Sequence, residues 1–161
     1  MTASLISVRD AVVIYPSGEQ PALDRVSLDI VPGSWTAVTG ANGSGKSTLL
    51  GVIAGLIPLR SGGVVHGGGA ACRVAMLMQD PDNQFVASSV AQELALSAAS
   101  EAPAREARIR EAAERFGLGT VLDRNPHRLS GGEKQRLALA TVWLENPDVL
   151  LLDEPLAYLD P

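Results

Sequence analysis

Cysteine is nearly absent from this chain of 161 residues: Cys72 stands alone, so no disulfide can close within it. Only two histidines occur, His66 and His127, and the common zinc spacings are unfilled. The lack of a disulfide suits a reducing compartment. Aromatic residues make up 4% of the chain, too few for a run of base-stacking platforms. Positive charge is also short, with 13 Lys and Arg against 18 Asp and Glu, a net charge of −5. Such a surface does not draw in a phosphate backbone, so no nucleic-acid partner is expected. Long hydrophobic runs are missing too. The longest uncharged apolar segment, Ser47 to Leu59, lies between Lys46 and Arg60 and falls short of the roughly 18 residues a span needs. The start, Met1-Thr2-Ala3-Ser4, has neither the basic nor the apolar part of a signal peptide. The protein is therefore expected to be soluble or peripheral. Hydrophobic residues are 46% and charged residues 19%, enough apolar material for the core of one domain.

Alternation predicts a first strand over Leu5 to Ile14, bent near its middle, and a second over Arg25 to Val31. Pro32-Gly33 turns the chain into a short third strand, Trp35 to Thr39. A Gly-rich loop follows, then a helix from Lys46 to about Ile57 with Leu49, Ile53 and Leu56 on one face. Two short strands, Gly63 to His66 and Arg73 to Met78, end the strand-rich half. Beyond Gln79 the pattern turns helical. Ser89 fits an N-cap for Val90 to Ala98, and Pro103 fits the first turn of the next helix. Three acid-first pairs, Glu101–Arg105, Glu106–Arg110 and Glu111–Arg115, read as a solvated helix face. A strong helix spans Gly131 to about Glu145, and Val149-Leu150-Leu151-Leu152 closes the pattern as a strand buried on both faces.

Gly40-Ala41-Asn42-Gly43-Ser44-Gly45-Lys46-Ser47 fills the phosphate-loop pattern G-x-x-x-x-G-K-[ST] completely, between an apolar strand and an amphipathic helix. Glycines let the backbone curl until successive N–H groups face phosphate oxygens, and the helix start adds its positive end. Lys46 can reach the β- and γ-phosphates, and the Ser47 hydroxyl can bind Mg²⁺. With Thr48, these residues form the expected ATP site. A mere helix-capping turn would not need a lysine and a hydroxyl at those places.

The apolar strand 149–152 runs into Asp153 and Glu154. Ligands gather at the carboxyl ends of parallel strands. Asp153 would hold Mg²⁺, and Glu154 would polarise the attacking water as general base. Ser130 and Glu133, three apart at the start of the last long helix, make a capping box. Two glycines in that first turn, Gly131 and Gly132, are costly unless something must approach the backbone closely.

Leu129-Ser130-Gly131-Gly132-Glu133-Lys134-Gln135-Arg136 resembles the signature motif of ABC-type ATPases, in the right order between the phosphate loop and the Asp-Glu strand. The resemblance covers essentially the whole chain. Gln79-Asp80-Pro81-Asp82-Asn83-Gln84-Phe85 narrows it, being similar to the Q-loop of energy-coupling-factor and cobalt/nickel importer ATPases. Glu133 stands where glutamine is commoner, Met78 and Asp80 where Phe and Asn are, and Leu156 and Tyr158 where small or hydroxyl residues are usual.

The resemblance implies an α/β P-loop NTPase fold with a mostly parallel core sheet, an antiparallel β subdomain and a helical signature subdomain. Core and β subdomain would comprise 1–80 and 147–161, and the helical part 81–146. It implies that Tyr15 stacks on adenine and that Gln79 senses Mg²⁺ and meets a membrane partner. Asp160, in the D-loop Leu159-Asp160, would cross a dimer interface. The signature of one subunit would close over the γ-phosphate held by the other. Expected partners are ATP, a second ABC ATPase subunit in a homo- or heterodimer, and integral membrane subunits, with the protein on the cytoplasmic side of the membrane. The cargo would be a vitamin or a transition-metal ion. The family's switch histidine and a further core strand would follow Pro161, so the C-terminal part of the fold is expected to be missing here. Two alternatives stand: an ABC-fold factor acting on ribosomes or nucleic acid, and a non-catalytic truncated remnant.

Overall fold

A computed structural model describes residues 4–16, 18–67, 72–98 and 104–155. It is a mixed α/β fold with antiparallel and parallel sheets. The chain forms two compact units, residues 1–74 and 75–161.

In the first unit, strand β1 (Ile6–Val13) lies between β2 (Leu23–Ile30) and β3 (Ser61–His66), antiparallel to both. The expected bend in β1 is a bulge. Ile6 and Val8 are buried, and the inward phase then resumes at Ala11 and Val13, one residue late. The register slips there against both neighbours, and Asp10 takes a left-handed φ of 45°. One extra residue thus keeps both halves of the strand facing the core. Helix α1 (Lys46–Ile53) buries Leu49, Val52 and Ile53. It is shorter than its apolar spacing suggested. Gly55 adopts a left-handed φ of 74°, and the Leu56 and Ile57 N–H groups fold back onto the Gly51 carbonyl. Leu56 is exposed as a result.

In the second unit, β4 (Val74–Leu77) pairs with β5 (Val149–Leu152). Helices α2 (Val90–Ser97), α3 (Ala104–Arg115) and α4 (Gly131–Leu144) pack beside them around Leu77, Leu94, Leu118, Leu137 and Leu144. Arg108 and Arg115 of α3 lie over the Trp143 ring at 5.2 and 5.6 Å, so Arg115 packs against a ring as well as belonging to the charged face expected for this helix.

Two strand expectations need correction. Trp35 to Thr39 forms no strand, since no described strand offers it a ladder, and Trp35 is 97% exposed. Strand β5 is not buried throughout, although Leu152 packs partly buried against the core. Val149 and Leu151 are buried, whereas Leu150, pointing the other way, is 46% exposed. Pro103 and the D-loop, Leu159-Asp160, lie outside the described residues.

Candidate functional site

The phosphate loop is shaped by its glycines. Gly40, Gly43 and Gly45 all have positive φ, at 157°, 78° and 92°. Gly45 is the N-cap of α1 and supplies no side-chain hydrogen bond. The first N–H groups of α1 therefore have no side-chain cap, which suits an anion. A Cβ on Gly45 would meet the Ala22 carbonyl oxygen at 2.3 Å, so the loop lies against the chain entering β2. Lys46 turns back over the loop, its Nζ donating to the carbonyls of Gly40 (3.1 Å) and Ala41 (3.0 Å). Asn42, Ser44 and Ser47 are exposed. Thr48 is buried, and its hydroxyl lies 3.2 Å from the Tyr15 phenol oxygen. Tyr15 is thereby held beside the helix that follows the loop, with part of its side chain exposed.

In the second unit, Asp153 and Glu154 follow β5 directly. Asp153 is 8% exposed, and its N–H donates to the Leu77 carbonyl at 3.0 Å. Glu154 has a left-handed φ of 49°, a strained value for a residue with a side chain. Its Oε2 accepts a 3.1 Å hydrogen bond from Gln79 Nε2, so two residues 75 apart in sequence meet. Sequence spacing alone did not pair them.

Leu129 is buried, and Ser130 caps α4 in a complete capping box. Ser130 Oγ accepts from the Glu133 N–H at 3.3 Å, while Glu133 Oε2 accepts from the Ser130 N–H at 2.8 Å and from its hydroxyl at 2.9 Å. These bonds from Ser130 hold the Glu133 carboxyl below its ordinary range. Gly131 and Gly132 form the first turn behind the cap.

Sequence reasoning missed three contributors near these groups. Asp82 accepts a 2.6 Å bond from Lys134 Nζ and lies 3.3 Å from His127 Nδ1, tying the segment after Gln79 to the signature helix. Lys134, then His127, depresses the Asp82 carboxyl. Gln135, 1% exposed, donates from Nε2 to the Pro155 carbonyl at 2.7 Å, next to Glu154. Buried Glu93 accepts from the N–H groups of Val86 and Ala87, fixing the loop before α2. The Asp82 and Gln135 pairs have no short-range signature. Asp82 and Lys134 are 52 residues apart, Gln135 and Pro155 are 20 apart.

A phosphate loop opening onto an uncapped helix, with an Asp-Glu pair after an apolar strand, defines a P-loop nucleotide-binding protein. Residues 23–157 match the family described as ABC transporter, and the chain belongs to that family. It is 40% identical to the energy-coupling factor transporter ATP-binding protein EcfA1 of Bacillus subtilis, over 98% of this chain and 60% of that protein. Against EcfA1 of Lacticaseibacillus paracasei the identity is 38%, over 98% of this chain and 61% of the relative. The chain thus spans about three fifths of the length of these relatives. Among solved structures it is similar to cbiO1 from Clostridium perfringens, described as part of the ABC transporter complex cbiONQ. There the TM-score is 0.77 at 32% identity, covering 99% of this chain and 68% of that one.

Proposed function

We propose that this chain is the nucleotide-binding part of an ATPase subunit that powers an ABC importer of the energy-coupling-factor type. The observation that carries the reading is the phosphate loop, with three glycines at positive φ, an uncapped helix start and a lysine folded over its own loop. The similarity to EcfA1 proteins supports the importer type.

In this reading the loop N–H groups and Lys46 bind the β- and γ-phosphates, and Tyr15 presents its ring to adenine. The Ser47 hydroxyl and the Asp153 carboxylate are hard oxygen donors of the kind Mg²⁺ takes alongside nucleotide phosphates. Mg²⁺ held by such donors would neutralise phosphate charge. Gln79, the expected Mg²⁺ sensor, is held to Glu154. Glu154 takes a proton from the attacking water as its oxygen bonds to the γ-phosphorus, and the bond to the β–γ bridging oxygen breaks. Leu129, Ser130, Gly131, Gly132 and Glu133 offer the start of α4 to the γ-phosphate bound by a second ATPase subunit, and Asp160 lies at that interface. Integral membrane subunits complete the importer, which carries a vitamin or a transition-metal ion. No helix among the described residues is long and apolar enough to cross a membrane, so attachment at the cytoplasmic face runs through those subunits.

The test is Mg-ATP turnover by the full-length subunit with its membrane partners, for the parent and for Glu154→Gln. The expected result is turnover in the parent and an ATP-trapped dimer, seen by light scattering, in the variant. Normal turnover in a monomeric Glu154→Gln would overturn the general-base assignment.

A further inference from the structure

We infer that Gln135 is a positioning residue for hydrolysis, holding the turn that carries Glu154 in its strained shape. Gln135 is the third residue after Glu133's predecessor Gly132, on the inward side of α4, and is 1% exposed. Its Nε2 donates to the Pro155 carbonyl at 2.7 Å. The amide orientation is forced by chemistry, because a proline carbonyl only accepts and the amide must present its NH₂. Its Oε1 is buried with no donor among the described residues. Burying an amide is costly for a mere packing element unless its polar atoms are bonded, as Nε2 is here. A leucine or methionine would fill the same space without that cost.

The bond acts at a strained place. Glu154 sits at φ 49°, between two anchors. Before it, the Asp153 N–H is tied to the Leu77 carbonyl at 3.0 Å; after it, the Pro155 carbonyl is tied to Gln135. Between them the Glu154 carboxylate meets Gln79 at 3.1 Å. Releasing the second anchor lets the turn relax out of the left-handed region and carries the carboxylate off Gln79. Because Gln135 belongs to the signature helix, movement of that helix is passed directly to the position of the base. Gln135 touches no reacting atom in this scheme; it acts through Glu154.

This inference rests on the ATPase reading above and on Glu154 as base. The test uses the full-length subunit with its membrane partners and compares the parent, Gln135→Met, Gln135→Glu, Glu154→Gln and the double variant Gln135→Met with Glu154→Gln. Methionine keeps the volume and removes the donor. Loss of the bond to the Pro155 carbonyl predicts a kcat fall of about tenfold or more for Gln135→Met, with the KM for ATP within about twofold, because the nucleotide is held by the phosphate loop. In the Glu154→Gln background the same change should have no further effect on residual turnover, since its route of action is gone. Gln135→Glu is nearly isosteric and carries the test if Gln135→Met does not fold. Its carboxylate cannot donate to Pro155, but its acid form can, so its kcat relative to the parent should recover as pH falls. A folded Gln135→Met and Gln135→Glu with parental kcat overturn the inference and leave Glu154 untouched. Equal proportional losses with and without Glu154 also overturn it, marking Gln135 as a packing residue. Normal turnover in Glu154→Gln removes the base assignment itself and this inference with it.

Discussion

Gly45→Ala and Gly43→Ala form a matched pair that separates backbone strain from steric collision in the phosphate loop. Both glycines are left-handed, at φ 92° and 78°. An L-residue in that region costs about 1–2 kcal/mol. Alanine also stiffens the unfolded chain, which returns about 0.4–1 kcal/mol to the folded state. For Gly43 nothing lies within 4 Å of the added Cβ, so those two effects are the whole account. The net loss should be about 1 kcal/mol. Gly45 differs because its Cβ would meet the Ala22 carbonyl oxygen at 2.3 Å and Leu23 Cδ2 at 3.1 Å. The first of these is backbone at the entry to β2, which cannot swing aside as a side chain would. Overpacking of this kind adds about 1–3 kcal/mol, giving a total of about 2–4 kcal/mol.

The assay is thermal unfolding without nucleotide, followed by titration with a fluorescent ATP analogue. At about 2–4 °C per kcal/mol for a chain of this size, Gly45→Ala should melt several degrees below Gly43→Ala. It should also bind nucleotide more weakly, because relief of the clash displaces the start of α1. Equal melting temperatures for the two variants would refute the claim that the loop is pressed against the chain entering β2.

Three further outcomes follow from the same geometry. Lys46→Ala should weaken ATP binding at least tenfold, since a charge-assisted hydrogen bond contributes about 1.5–3 kcal/mol; unchanged affinity in a fluorescent-analogue titration would contradict the phosphate-loop role. Ser130→Arg should keep ATP affinity but stop hydrolysis, losing about 1 kcal/mol of cap; parental turnover in a folded variant would reduce the motif to a helix cap. For Asp82, the carboxyl is depressed in the fold, so its stabilisation is complete above the ordinary value of 3.8 and is lost as pH falls through the lowered folded value. The melting difference between the parent and Asp82→Asn should therefore shrink in strong acid, where the carboxyl is protonated in both states, and a difference that persists there undiminished would refute the ion-pair assignment.

What the sequence disclosed and what it hid divide along the range of the interactions. The bulge in β1 could be anticipated because Ile6, Val8, Ala11 and Val13 carry their own phase error. The capping box of α4 lies within four residues, and the structure forms it in full. Leu56 continues the apolar spacing of α1, but the left-handed Gly55 stops the helix before it. The composition of β5 is that of a central strand buried on both faces, yet Leu150 is exposed. Composition states what a strand is suited to, and the partners that cover it are set elsewhere in the chain. The same holds for Trp35 to Thr39, whose side chains fit a strand that no described neighbour completes.

The contacts that no pattern disclosed are those that join the motifs within the second unit. Gln79 meets Glu154, Lys134 meets Asp82, and Gln135 meets Pro155. The first joins the ends of the paired strands β4 and β5, and the other two depend on the packing of α4 beside that pair. Lys134 and Gln135 are neighbours on α4, and 100° of helix rotation separates adjacent side chains. One therefore reaches the segment after Gln79 while the other reaches the turn after Glu154. A single rigid element thus holds both sides of the Gln79–Glu154 bond, so a small rotation of α4 would shift both anchors at once. That arrangement explains why α4 continues, past Gly131 and Gly132, into two polar side chains that tie it to both turns.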